Sequence, residues 1–201
     1  MKSTFDASQV EKDLRDLPPD LAVALALLAA ERLFPALQAY ARESGGIEAM
    51  RVRAALDEVW RELEARRPDV DMLRALAAEV YELRPETEDN ESRISSYALD
   101  AAGAAWEAIQ AALTHDLSHA VAAMQLAYES VETFAEEREE FHPQASADRA
   151  AISDRDVVVR ELETQQKQLD RARHLRAEPQ RGVRELRAEF GNQSRSNIGL
   201  A

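Results

Sequence analysis

The ten residues from Leu21 to Ala30, Leu-Ala-Val-Ala-Leu-Ala-Leu-Leu-Ala-Ala, constrain this chain more than any other stretch. They are apolar without interruption, so a helix through them has no face to offer to water and must be surrounded by other elements. This predicts a buried central helix inside a bundle. The run is closed by Glu31 and Arg32 and falls well short of the roughly 20 apolar residues needed to cross a bilayer. No membrane span is expected.

The rest of the chain agrees. Its apolar positions are mostly Ala, Leu and Val, and only six Gly and seven Pro punctuate 201 residues. Ala and Leu lose little on entering a helix, so long helices joined by short connections are the default. We expect an all-α fold, a single-domain bundle of about seven to eight helices over residues 1–201 with a docked non-helical C-terminal tail. The ends, 1–7 and 191–201, are the candidates for flexibility.

Ser8-x-x-Glu11 has the form of a capping box and opens a short helix to about Asp16. Leu17-Pro18-Pro19-Asp20 breaks it, and Pro19 or Asp20 starts the central helix, ended by Ser44-Gly45-Gly46. Pro35 lies inside, where it removes a backbone donor and predicts a kink or short break near Leu33 and Phe34. From Ile47 to about Arg66, Val52, Leu56, Val59 and Leu63 form one stripe with Trp60 beside it, while Arg51, Arg53, Arg61 and Glu62 are expected to face mostly away. A helix over Val70 to Leu83 and an acidic loop from Pro85 to Glu91 follow. Ile94 to Leu113 is Ala-rich, and Gly103 there permits close approach of a second helix.

Thr114-His115-Asp116 interrupts that helix. Leu117, Val121, Met124, Tyr128, Val131, Phe134 and Phe141 then stripe a long one ending before Pro143. A polar connection, Gln144 to Asp148, leads to a charged helix from about Arg149 to Ala177 with Val158, Leu162, Leu169 and Leu175 as its thin seam. Pro179 separates it from a last helix, about Arg181 to Phe190. Val157-Val158-Val159 is the only β-like patch, and no stretch alternates long enough to make a strand.

The net charge of −13 is unevenly placed. Residues 155–201 hold ten Lys or Arg against seven Asp or Glu, +3, which leaves −16 on residues 1–154. Such a body repels nucleic acid and favours basic partners, although an acidic surface also serves solubility alone. The chain has no cysteine, which rules out disulfides, zinc–thiolate sites and thiol nucleophiles and fits a reducing compartment. The first residues, Met1-Lys-Ser-Thr-Phe-Asp, lack the apolar core of a secretory signal, so a cytoplasmic protein is expected.

No constellation with a recognisable chemistry emerges. Asp116-x-x-His119 and Glu139-x-x-His142 echo the acid-x-x-His spacing of di-iron bundles. On one helix, however, the two histidines lie about 35 Å apart at 1.5 Å per residue and cannot share a metal. His115 and His119 have ligand spacing, but His115 falls in the turn before the helix, and His174 sits among Arg171, Arg173 and Arg176. There is no Gly-x-Ser-x-Gly elbow and no phosphate loop; Gly45-Gly46 reads as a helix stop. Carboxylate pairs such as Glu58 and Glu62, or Glu136 and Glu140, read as solvated helix faces rather than acid–base catalysts. No catalytic residue, metal site or cofactor is therefore assigned. The arginines at 171, 173, 176, 181, 184 and 187 are interleaved with Glu178, Glu185 and Glu189, and no aromatic ladder accompanies them. They read as a paired helix face rather than a nucleic-acid surface.

The blocks Leu27 to Pro35, Ala55 to Trp60, Asp100-Ala101, His119 to Val121 and Ser196-Asn197-Ile198-Gly199 resemble the corresponding blocks of the YjaG-like family of bacterial proteins. The resemblance implies an all-helical fold and a link to signalling, with no established activity, cofactor or catalytic residue. Glu31, Arg32, Asp57 and Trp60 are the candidate polar cluster. They are expected either to lock the first two long helices together or, with Asn197 of the tail, to wall a binding groove. A docked tail requires Ile198 and Leu200 to be buried. The leading expectation is a non-enzymatic module that binds a protein partner through its acidic helical surface, most concretely an immunity-type inhibitor of a basic toxin or nuclease. The alternatives are a signalling adaptor, a metal- or ligand-dependent enzyme with an unfamiliar site, and nucleic-acid binding through the arginine-rich helices. Self-association into a homo-oligomer is a further expectation.

Overall fold

A computed structural model of the chain describes residues 4–66, 68–85, 94–141, 154–191 and 196–200, with side chains inside the sixth and seventh helices described up to residue 137 and from residue 156. Eight helices, and no strand, make up the described residues: α1 (Ala7–Arg15), α2 (Pro19–Ser44), α3 (Glu48–Ala65), α4 (Val70–Glu82), α5 (Ser95–Thr114), α6 (Leu117–Phe141), α7 (Asp154–Leu175) and α8 (Pro179–Phe190). The expected loop from Pro85 to Glu91 beyond its first residue, the connection from Gln144 to Asp148, and His142 lie outside the described residues.

The apolar run sits where its composition requires. Every residue of α2 from Leu21 to Leu37 is buried, because α5, α6, α3, α8 and α7 all pack on it. Leu21, Leu25, Leu27, Leu28, Leu33 and Leu37 are among the largest fully buried side chains of the molecule, together with Trp60 of α3 and Met124 of α6. Fully burying a Leu contributes about 1.5–3 kcal/mol relative to exposure, so this helix anchors the fold.

Alanines set how closely the helices approach. Ala98, Ala101, Ala102, Ala105, Ala108 and Ala112 of α5 are all buried, and a side chain at Gly103 would come within 3.3 Å of Leu126 on α6. The contact of α8 is closer still: a Cβ on Gly182 would lie 2.8 Å from Leu21 Cδ2 and 3.0 Å from Leu175 Cβ. Gly45 ends α2 in the left-handed region, at φ +70°, and donates to the Ala41 carbonyl at 2.9 Å.

Two expectations need correction. The first helix is capped by Asp6, whose carboxylate accepts from Gln9 N at 3.0 Å; Ser8 lies inside the helix rather than at its cap. Asp6 has the extended backbone an N-cap needs, and its carboxylate is a stronger acceptor than a hydroxyl. Second, α2 continues through Pro35 without a break. The Glu31 carbonyl loses its helical donor there, but Leu33, Phe34, Ala36 and Leu37 are buried around the site and hold the helix. The Val157–Val159 patch is helical, within α7, as the expected charged helix requires.

Candidate functional site

Glu31 and Arg32 are adjacent, and a helix turns about 100° per residue, so they cannot share one cluster. Glu31 faces α3. Its two oxygens accept from Arg53 Nη1 at 2.6 Å and Nη2 at 2.7 Å, and Oε1 also accepts from the Trp60 indole at 3.0 Å. Arg53 holds Asp57 through Nε at 3.1 Å and Nη2 at 2.9 Å. Arg187 of α8 then reaches Asp57 at 3.2 Å and Glu64 at 3.0 Å and lies over the Trp60 ring. Burial acts to lower the Arg53 pKa, but Glu31 and Asp57 outweigh it and raise the value.

Three of the anticipated residues, Glu31, Asp57 and Trp60, thus meet, through an arginine expected to face away. Trp60 is fully buried and Glu31 nearly so. This network welds α2, α3 and α8 together and engages both oxygens of a Glu31 that is buried away from solvent.

Arg32 points to the opposite side, into α7. Its Nε and Nη2 donate to Glu161 at 2.8–3.2 Å, while Nη1 donates to the Leu28 carbonyl at 3.1 Å and to Gln168 Oε1 at 2.7 Å. The two side chains are 6% and 2% exposed, a buried ion pair. Gln165 ties Glu161 Oε1, at 2.8 Å, to the Met124 carbonyl, at 2.9 Å. Glu161, Gln165 and Gln168 were not anticipated from sequence. Their spacing of four and three, continued by Ala172 and Leu175, marks them as one inward face, but a search for apolar residues alone passes over it.

The tail docks over this pair. Asn197 donates from its backbone to the Arg32 carbonyl at 3.2 Å and from its carboxamide to the Ala127 carbonyl at 2.8 Å. A tight turn closes it: Ser196 N to Leu200 O at 2.7 Å, Gly199 N to Ser196 O at 2.9 Å, and Leu200 N to Ser196 Oγ at 3.0 Å. Ile198 is 8% exposed and packs with Ala36, Tyr97 and Val131, with Leu200 partly buried against them. Arg32 and Asn197 therefore do line a common cleft, of about 420 Å³, bounded by α7 and the tail; Glu31, Asp57 and Trp60 do not reach it.

A second concavity, about 520 Å³, runs between α1 and α7 over α6. Among the described residues Phe5, Val10, Met124, Leu162 and Leu169 supply its apolar lining, and Asp6, Asp13, Glu163 and Lys167 its charged rim. Asp13 also pairs with Arg173 at 2.8 Å. At its edge Phe5 stacks on Tyr128, whose hydroxyl donates to Glu132 at 2.7 Å. Beyond lie Glu129, Glu136, Glu137 and Asp100, and none of these five carboxylates has a cationic partner among the described residues. Burial, then the Glu129 charge, pushes the Asp100 pKa up to about 6. Burial and Glu137, which accepts from Tyr97 at 2.7 Å, raise the Tyr97 phenol as well.

The C-terminal arginines differ. Arg171 pairs with Glu185 and Glu189, Arg181 with Glu178 and Glu185, and Arg187 with Asp57 and Glu64. The charge of these three is compensated locally. Among the histidines, His115 caps α5 at φ 55°, and His119 contacts Glu107 at 2.7 Å beside Trp106. His115 and His119 share no helical face. Among the described residues no group of three His, Asp or Glu is placed to hold a metal, and no helix is long and apolar enough to cross a membrane.

Comparison with known proteins gives a family without a chemistry. A family model described as a protein of unknown function (DUF416) matches residues 9–201. The crystal structure of a DUF416 family protein from Shewanella baltica OS155 is similar over 95% of this chain and 97% of that one, with a TM-score of 0.74 at 19% identity. That likeness carries the fold alone. No curated protein matches the chain.

Proposed function

We propose that this chain, which belongs to the DUF416 family, is a non-enzymatic protein-binding module whose partner presents a basic, amphipathic segment. Within the family we group it with the YjaG-like proteins, on the blocks ending in Pro35 and Gly199. The observation that carries the proposal is the α1–α7 groove, an apolar floor whose described rim holds Asp6, Glu163 and Lys167 together with Asp13, itself paired with Arg173, joined through Phe5 and Tyr128 to five carboxylates without cationic partners among the described residues. A helix with Leu or Phe on one face and Lys or Arg on its flanks satisfies both features, as in helix-in-groove recognition. Unpaired surface acids also speed encounter with a basic partner. Masking a basic toxin or nuclease in the cytoplasm is the most concrete form of this role.

The test is capture from host extract by the full chain and by a Val10→Lys/Leu162→Lys variant, with washes at low and high salt. Both substitutions fall on partly buried groove positions. The proposal predicts one dominant basic protein that is retained at low salt, released by high salt and lost from the variant. A partner that the variant retains, or one that salt does not release, contradicts it.

A further inference from the structure

We propose that the cleft between the C-terminal tail and α7 is a second site, independent of the groove, that binds a small organic carboxylate bearing an apolar group. Its volume, about 420 Å³, lies within the range of small-molecule pockets, roughly 300–1,000 Å³. The class of ligand follows from which of its polar groups are already engaged. Arg32 and Glu161 form the floor, but they neutralise one another, and the guanidinium is further held by Leu28 O and Gln168. They contribute a rigid base and no net charge.

Arg160, on the rim, differs. Its Nε donates to the Asp156 carbonyl at 3.1 Å, and its two terminal nitrogens have no partner among the described residues. Among the described residues that leaves one cation in the cleft free to form a two-pronged contact with a carboxylate. Ser196 stands on the tail side. Its Oγ accepts from Leu200 N at 3.0 Å and keeps its proton to donate to a bound oxygen. Phe134, Val157 and Ile198 give the remaining wall an apolar character. A monoanion suits this balance better than phosphate, because a second negative charge would face Glu161 with no second free cation among the described residues.

Tail residues form one wall, so an occupant also stabilises the docked tail by mass action. The tail's own seat is incomplete, since Asn197 Oδ1 is buried without a partner. Slower exchange of the Asn197 amide, bonded to Arg32 O, and of the Leu200 amide is thus a local readout that weak surface binding does not give.

The experiment titrates the full chain with phenylacetate, phenylacetamide and inorganic phosphate, followed by calorimetry and hydrogen exchange. Phenylacetate is expected to bind one to one, in the millimolar range or tighter, and to slow exchange at Asn197 and Leu200. The neutral amide should bind at least about tenfold more weakly, the cost of losing a charged hydrogen bond. Arg160→Gln, at an exposed position, should lose that discrimination without changing urea stability, and Val157→Trp should block binding by filling the cleft. Equal binding of acid and amide, stronger binding of phosphate, no binding of phenylacetate, or unaltered binding in Arg160→Gln would each overturn the proposal. None of these results bears on the α1–α7 groove.

Discussion

Removing Glu161 should unlock this fold more than any other single change of a charged residue. Glu161→Ala takes from Arg32 three of its five contacts and leaves a guanidinium side chain, 6% exposed, with only Leu28 O and Gln168. Breaking a buried pair from one side costs about 3–5 kcal/mol, because the remaining charge is neither hydrated nor compensated. At about 2–4 °C per kcal/mol for a chain of this size, the melting temperature should fall by roughly 6–20 °C.

Replacing the pair altogether has a different result. Arg32→Met with Glu161→Leu removes both charges, yet Gln168 then loses its donor, and its Nε2 is already buried without a partner. That residue alone should cost about 1–3 kcal/mol. Adding Gln168→Leu should return the protein to within about 1 kcal/mol of the original or above it. Gln165 keeps its bond to Met124 O throughout. Urea unfolding, followed by the fluorescence of the buried Trp60 and by circular dichroism, supplies the free energies, with an unchanged slope as the check on two-state behaviour. A loss below about 1 kcal/mol for Glu161→Ala, or a triple variant as unstable as the single one, would refute the reasoning.

Two further predictions concern the acidic face and the helix contacts. Because Asp100 titrates at about 6 when folded and near 3.9 when unfolded, the native state holds its proton more tightly. Its contribution is fully present below the unfolded value and is lost as pH rises through about 6. Asp100→Asn should therefore match the original protein near pH 4 and exceed it by on the order of 2 kcal/mol near pH 7, measured by urea unfolding at each pH; an equal difference at both would contradict the burial argument. Gly182→Ala should destabilise by about 1–3 kcal/mol through its clash with Leu21 and Leu175. Gly103→Ala, at 3.3 Å from one flexible Leu126 methyl, should stay within about 1 kcal/mol because helix propensity offsets the crowding. Thermal unfolding of the two variants side by side decides it.

The architecture was legible because its signals are local. The apolar run of α2, the Val52–Leu63 stripe of α3 and the breaks at Pro19, Gly45 and Pro179 each announce themselves within a few turns. Corrections arose where a tertiary partner decides the outcome. Ser8 yielded the cap to Asp6, and Pro35 was carried through by the packing around it. The site was legible in part: Glu31, Asp57 and Trp60 do meet, and Arg32 does meet Asn197. Nothing in the sequence pairs Arg32 with Glu161, however, because 129 residues separate them. Arg53 was misplaced since a long side chain at a helix flank can turn inward or outward, and only the position of Glu31 settles which.

The most direct test of the binding proposal places a photoreactive phenylalanine analogue at Gln166, exposed on the groove wall, and in a second protein at Arg74, exposed on α4. Each is irradiated in host extract at about 0.05 M and about 0.5 M salt, conditions that span weak and strong screening. A basic protein crosslinked from position 166 alone, and only at low salt, is the predicted result. Crosslinking of the same protein from position 74, or at both salt concentrations equally, would contradict recognition through the acid-rimmed groove.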